Sequence, residues 1–182
     1  LIEGSEGTIE VKGESNLLEE LEIETDGSKL KIKPRNNKNL KPSGKNKIEI
    51  TIPIQEVNSI ALAGSGNIQS NFSLKSNHIS VKLAGSGAIN MEIKTLELEA
   101  TVAGSGTINL NGKAQNLKGS IAGSGTVDTQ EVKTENADVT IAGSGDYKLQ
   151  CTGLIKARVS GSGDIFYKGK PEKIDTKVAG SG

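Results

Sequence analysis

Apolar and polar residues alternate along most of this chain. Leu96, Leu98, Ala100 and Val102 are separated by single polar residues, as are Ala137, Val139 and Ile141, and Ile155, Ala157 and Val159. A period of two puts one set of side chains on one face, so each run predicts a half-buried strand. The runs stop at a Gly-Ser-Gly triplet. An apolar residue then returns two positions beyond it, at Ile68, Ile89, Ile108, Val127, Tyr147 and Ile165, and in one case continues to Met91 and Ile93. Each triplet is therefore entered by one strand and left by another.

The triplets are Gly64-Ser65-Gly66, Gly85-Ser86-Gly87, Gly104-Ser105-Gly106, Gly123-Ser124-Gly125, Gly143-Ser144-Gly145, Gly161-Ser162-Gly163 and Gly180-Ser181-Gly182. Their first glycines are 21, 19, 19, 20, 18 and 19 residues apart. Between the strands the sequence turns polar, at Lys75-Ser76-Asn77, Asn111-Gly112-Lys113, Thr134-Glu135-Asn136 and Lys168-Gly169-Lys170-Pro171, which reads as loop chemistry. A unit of strand, corner, strand and loop this short cannot bury its own apolar face. It must stack on its neighbours. The expectation is an all-β fold, a two-sheet parallel solenoid whose corners stack about 4.8 Å apart over roughly 29 Å. Glycine suits such a corner because it adopts positive φ and carries no Cβ to strike the turns above and below. The serines are expected to form a column whose hydroxyls bond neighbouring turns or local backbone.

The whole chain, 1–182, reads as one solenoid domain, with irregular strands and a cap over 1–58 and regular coils over 59–182. Strand-like alternation occurs at Ile9-Glu10-Val11, Leu21-Glu22-Ile23, Leu30-Lys31-Ile32 and Ile48-Glu49-Ile50-Thr51-Ile52, and Gly4-Ser5-Glu6-Gly7-Thr8-Ile9 resembles a degenerate corner. Between Lys33 and Lys47 the composition suggests an exposed loop. The final triplet is followed by no capping element, which suggests truncation or cover from a partner chain. Leu1-Ile2-Glu3-Gly4 suggests a chain whose leader or lipid anchor has been removed.

Composition narrows the function. The 22 basic and 22 acidic residues cancel, so a nucleic-acid partner is not expected. Only Arg35 and Arg158 among the basic residues are arginine, which leaves little bidentate anion recognition. Cys151 is the single cysteine and reads as a small core hydrophobe.

Candidate chemistry is sparse. Asp146 and Asp164 each follow a corner, as a polysaccharide-cleaving solenoid would require, but with Lys148 and Arg158 nearby in sequence they read as a surface ion-pair cluster. A calcium roll needs an acidic residue after each corner, and Asn67, Ala88, Thr107 and Thr126 stand there instead. His78, the single histidine, reads as an exposed strand start. No catalytic residue, cofactor or metal site is expected. Sugar platforms favour aromatic faces, and the chain offers only Phe72, Tyr147, Phe166 and Tyr167. Phe166 and Tyr167 should point to opposite faces, one inward and one outward. Tyr147 and Tyr167 form the candidate ligand patch, and the partner is an unidentified protein or glycan.

The serial Ala-Gly-Ser-Gly-x-Ile/Val corner, with the lead-in Ile48-Glu49-Ile50-Thr51-Ile52-Pro53 and Ile60-Ala61-Leu62-Ala63-Gly64-Ser65-Gly66, resembles the auto-transporter adhesin family called the head GIN domain. The resemblance implies a right-handed parallel β-helix shaped like the pectin lyases. It further implies a secreted or surface-anchored protein of a Gram-negative cell envelope, with a role in adhesion and possible homo-oligomers, trimers in particular. The alternative is a structural scaffold of the envelope without a specific ligand.

Overall fold

Parallel stacking follows from the repeat: units of nearly constant length, each with an apolar residue at every second position, bury that face by lying in register on one another and closing a second sheet over it. The structure, a computed structural model, describes residues 1–5, 7–37, 40, 43 and 46–182. These form two compact units, Ile2–Pro53 and Leu1 with Ile54–Gly182.

In the first unit the strands are short: β1 (Ile2–Glu3), β2 (Glu10–Lys12), β3 (Leu21–Asp26), β4 (Lys29–Pro34) and β5 (Glu49–Thr51), with a single helical turn α1 (Ser15–Leu18) that the sequence reading did not foresee. β3 and β4 form an antiparallel hairpin, and β2 pairs antiparallel with β5. Neither Gly4 nor Gly7 has positive φ. Glu6 of the expected degenerate corner, and much of the expected loop between Lys33 and Lys47, lie outside the described residues.

After β6 (Pro53–Ile54), the second unit is the parallel solenoid, of about six turns. Its strands are β7 (Ser59–Gly64), β8 (Asn67–Lys75), β9 (His78–Gly85), β10 (Ala88–Gly104), β11 (Thr107–Gly123), β12 (Thr126–Thr134), β13 (Asn136–Gly143), β14 (Asp146–Cys151), β15 (Leu154–Gly161), β16 (Asp164–Lys168) and β17 (Lys173–Gly180). One ladder precedes the corners and runs β7, β9, β10, β11, β13, β15, β17; the other follows them and runs β8, β10, β11, β12, β14, β16. β10 and β11 belong to both, because each continues for 17 residues around the far side of its coil. Asn111-Gly112-Lys113 is therefore strand, not loop. Gly112 turns the chain there without breaking the ladder, at φ 122°, where an added Cβ would strike the Ile93 carbonyl.

The corners divide their work between their two glycines. The first glycine of every triplet has φ between 115 and 139°. The third lies outside that region but, from Gly87 onward, has no room: a Cβ on Gly106 would come within 2.5 Å of Leu83 and 2.7 Å of the Gly87 carbonyl. The expected serine hydroxyl column does not form. The corner serines are exposed, and among the described residues their hydroxyls make no hydrogen bond; the backbone carries the ladder instead. Ser105 N–H donates to the Gly85 carbonyl and Thr107 N–H to the Gly87 carbonyl, both at 3.0 Å. Amides already aimed at the coil below leave a solvated hydroxyl nothing to add.

Inward columns interlock across the two sheets. Ile68, Ile89, Ile108, Val127, Tyr147 and Ile165 stack in register in one. In the other, Ile60, Val81, Ala100, Gly119, Val139 and Ala157 do the same. The largest residue of the first column is accommodated by the smallest of the second: an added Cβ on Gly119 would lie 2.3 Å from the Tyr147 ring. Tyr147 is fully buried, and among the described residues its hydroxyl makes no hydrogen bond, the nearby Thr129 hydroxyl donating instead to the Lys148 carbonyl at 2.9 Å. Burial pushes that hydroxyl's pKa far upward. Removing an orphaned polar atom recovers its desolvation cost, about 1–3 kcal/mol. Tyr147→Phe should thus match or exceed the parent in Tm; a fall of several degrees in thermal denaturation would reveal a partner for the hydroxyl.

Candidate functional site

Coil length varies by one or two residues, and this shapes the surface. β8 departs from the register of β10 between Gln69 and Ser73, where Ser70, Asn71 and Phe72 stand opposite Met91. β12 departs from β11 between Asp128 and Glu131, where Thr129 and Gln130 stand opposite Leu110. Such bulges push a strand out of the sheet plane. Between the two bulged strands, β10 and β11 remain in unbroken register over this stretch. The result is an open trough of about 660 Å³ on the outer face of the second sheet, within the size range of small-ligand sites. Asn90, Glu92, Asn109 and Asn111 form its floor, and Phe72 and Gln130 stand in its walls.

The floor is unusually rich in side-chain amides. Asn109 Nδ2 donates to Asn90 Oδ1 at 2.8 Å, leaving Asn90 Nδ2 and Asn109 Oδ1 free. Among the described residues, the side chains of Gln69, Asn71, Glu92, Asn111 and Gln130 make no hydrogen bond or ion pair. Two carboxylates are held: Asp128 Oδ1 accepts the Gln130 backbone N–H at 3.0 Å and Glu131 pairs with Lys168 at 2.7 Å. The Lys168 hydrogen bond holds the Glu131 carboxyl below the usual carboxylate range, which is opposite to what a general acid needs. In a smaller hollow, Asn136 is engaged: it donates to Asn116 Oδ1 at 3.1 Å and accepts from the Leu154 backbone amide at 3.2 Å.

The outer face of the first sheet follows a different electrostatic rule. Glu99, Lys118, Asp138, Lys156 and Asp175 lie in register, so charge alternates from coil to coil. Lys82 pairs with Glu99 at 3.2 Å, Ser80 donates to the same carboxylate at 2.8 Å, and Arg158 pairs with Asp138 at 2.9 Å.

The residues singled out from sequence do not assemble. Tyr147 is core rather than ligand patch, because two positions past a corner is an inward position in every coil. Phe166 and Tyr167 are both exposed, at 47% and 48%, contrary to the expected split. Tyr167 does occupy an inward position, in register with the buried Leu149, but among the described residues no strand stacks beyond β16 to cover it. Asp146 and Asp164 are in register with each other, and Arg158 joins neither, being paired with Asp138. His78 opens β9, exposed and in register with Glu97. Cys151 is buried, its Sγ 3.0 Å from the Glu135 carbonyl, and burial raises its pKa. The sequence reading missed the trough, although the spacings of 21 and 20 residues among the corners mark the two bulged coils.

The structure is similar to a protein from Bacteroides fragilis described as a "putative adhesin", with TM-score 0.87 and 22% identity over 98% of this chain and 83% of that one. It also resembles a "putative lipid binding protein" from Parabacteroides distasonis, with TM-score 0.77 and 29% identity over 100% of this chain and 85% of that one. A "putative adhesin" from Parabacteroides merdae aligns with TM-score 0.73 and 26% identity over 100% of this chain and 84% of that one. No curated protein matches the sequence. None of these structures bears an enzyme's name. Residues 1–171 match the family described as "Putative auto-transporter adhesin, head GIN domain", and the chain belongs to that family.

Proposed function

We propose that this chain is a non-catalytic binding module of the bacterial cell surface and that its ligand is a glycan seated in the trough. The observation that carries this reading is the floor of side-chain amides with open donors and acceptors. A carboxamide both donates and accepts, as a sugar hydroxyl does, so a file of them matches a hydroxyl-rich ligand without selecting one hydroxyl geometry. Bulged coils on either side of a flat floor make a fixed channel, which limits the ordering cost of binding. Aromatic stacking contributes little here, because Phe72 is the aromatic residue in the trough and it is half-buried.

The family name supports a surface role and the similar structures named adhesins support binding. A glycan array probed with the folded chain tests the reading, with Asn90→Ala/Asn109→Ala as the floor variant. At about 0.5–1.5 kcal/mol per hydrogen bond, the double variant should bind about tenfold more weakly while melting like the parent. Binding that survives the floor variant would place the ligand elsewhere. No saturable binding to any glycan would favour the scaffold alternative, and release of glycan fragments would overturn the non-catalytic reading.

A further inference from the structure

One edge of the trough carries a column of like charge. Past the two bulges the strands return to register, and Lys75, Lys94, Lys113 and Lys133 stack on one another across β8, β10, β11 and β12. All four are exposed. Three of them follow a trough residue by two positions along the strand: Lys94 follows Glu92, Lys113 follows Asn111 and Lys133 follows Glu131. Like charges directly across a ladder destabilise it, and the rise between parallel strands is only about 4.8 Å. On the first sheet, where Arg158 and Lys177 also lie in register, this cost is avoided in the column from Glu99 to Asp175 by strict alternation of sign. Here it is not. Among the described residues none of the four lysines forms an ion pair, although Glu92 and Glu131 lie two positions away along their own strands. Glu131 is drawn instead to Lys168.

We infer that this column is a rail for the anionic groups of the glycan, so that the ligand is an acidic polysaccharide, carboxylated or sulfated, lying along the solenoid axis. The inference rests on the trough reading and narrows it. The amide floor takes the hydroxyls of successive sugar rings. The ammonium groups, repeating at about the length of one sugar along an extended chain, meet carboxylate or sulfate substituents. Lysine suits this role better than arginine, since its compact charge accepts many approach directions rather than one bidentate geometry. A glycan is favoured over a lipid surface or nucleic acid because the rail borders a channel of hydroxyl-matching amides.

The test compares the parent with Lys94→Gln/Lys113→Gln and with the floor variant Asn90→Ala/Asn109→Ala. The probes are polygalacturonate, dextran sulfate, neutral dextran, vesicles of phosphatidylglycerol and single-stranded DNA. The lysine variant should keep or raise its Tm, since it removes a repulsion. It should bind polygalacturonate or dextran sulfate at least tenfold more weakly, and the parent's affinity for them should fall as salt rises. The floor variant should lose affinity for the same probes. Neutral-glycan binding that the floor variant abolishes and the lysine variant leaves intact would overturn the rail and keep the trough. Equal loss of vesicle or DNA binding in the lysine variant, with the floor variant unaffected, would show a generic polyanion surface and overturn the assignment to a glycan. No binding of any polysaccharide would overturn both readings.

Discussion

Gly104→Ala is expected to destabilise the solenoid by more than about 3 kcal/mol, because two penalties fall on one atom. Gly104 has φ 118°, and holding alanine there costs about 1–3 kcal/mol. The new Cβ would also lie 2.6 Å from the Gly85 carbonyl oxygen. That oxygen cannot retreat freely, since it accepts the Ser105 amide at 3.0 Å and so belongs to the ladder. The two penalties separate experimentally. Gly64 has φ 115° but nothing within 4 Å of an added Cβ, so Gly64→Ala measures the conformation alone. Gly106→Ala measures the collision alone. In thermal denaturation the order of loss should be Gly104 greatest and Gly64 smaller, and at roughly 2–4 °C per kcal/mol the Gly104 variant should melt more than about 6 °C below the parent. A Gly104 variant that melts with the parent would mean that the corners do not stack as described.

Tyr147→Ala should be similarly severe, at about 3–5 kcal/mol, the range for emptying a buried aromatic site. Its size follows from Gly119, which exists as glycine to admit the ring. Gly119→Ala should be destabilising by itself, and combining it with Tyr147→Val should be far less harmful than the sum, since Val127 already fills the same column one coil below. Additive losses in the double-mutant cycle would show that the ring and the glycine do not share this space. The same cycle answers whether Tyr147 reaches solvent, because a surface tyrosine would show neither the loss nor the coupling.

The corners were legible in the sequence because glycine at a fixed interval has few reasons to recur apart from backbone geometry. The inward columns were legible as well, since period two fixes which side chains face each other. Residue type misleads where phase decides: by type Tyr147 reads as a surface aromatic, although its position matches Ile108 and Val127. The expected split between Phe166 and Tyr167 failed for a different reason: Tyr167 holds the inward position, and an inward position dries a side chain only when another strand covers it. The trough was hidden for a further reason. No residue type announces it; it arises from register offsets between neighbouring coils, which became visible as bulges only once the pairing of Gln69 with Asn90 and of Ser73 with Glu92 was known. The lysine column was hidden likewise, since Lys75, Lys94, Lys113 and Lys133 sit among loop-like residues and become a file only through that pairing.

The ladder also has a direction, and under the proposed binding role this direction matters. Its hydrogen bonds point along the solenoid axis while the chain runs across it. Tension applied along the axis at the final coil therefore opens the ladder one coil at a time, each bond loaded in succession. A ligand lying in the trough spans β8, β10, β11 and β12, so the same tension enters through four strands at once and is shared among their bonds. The 17-residue strands at its centre carry that load on around the far side of the coil. Grip in the trough thus falls on the part of the solenoid best built to resist being peeled.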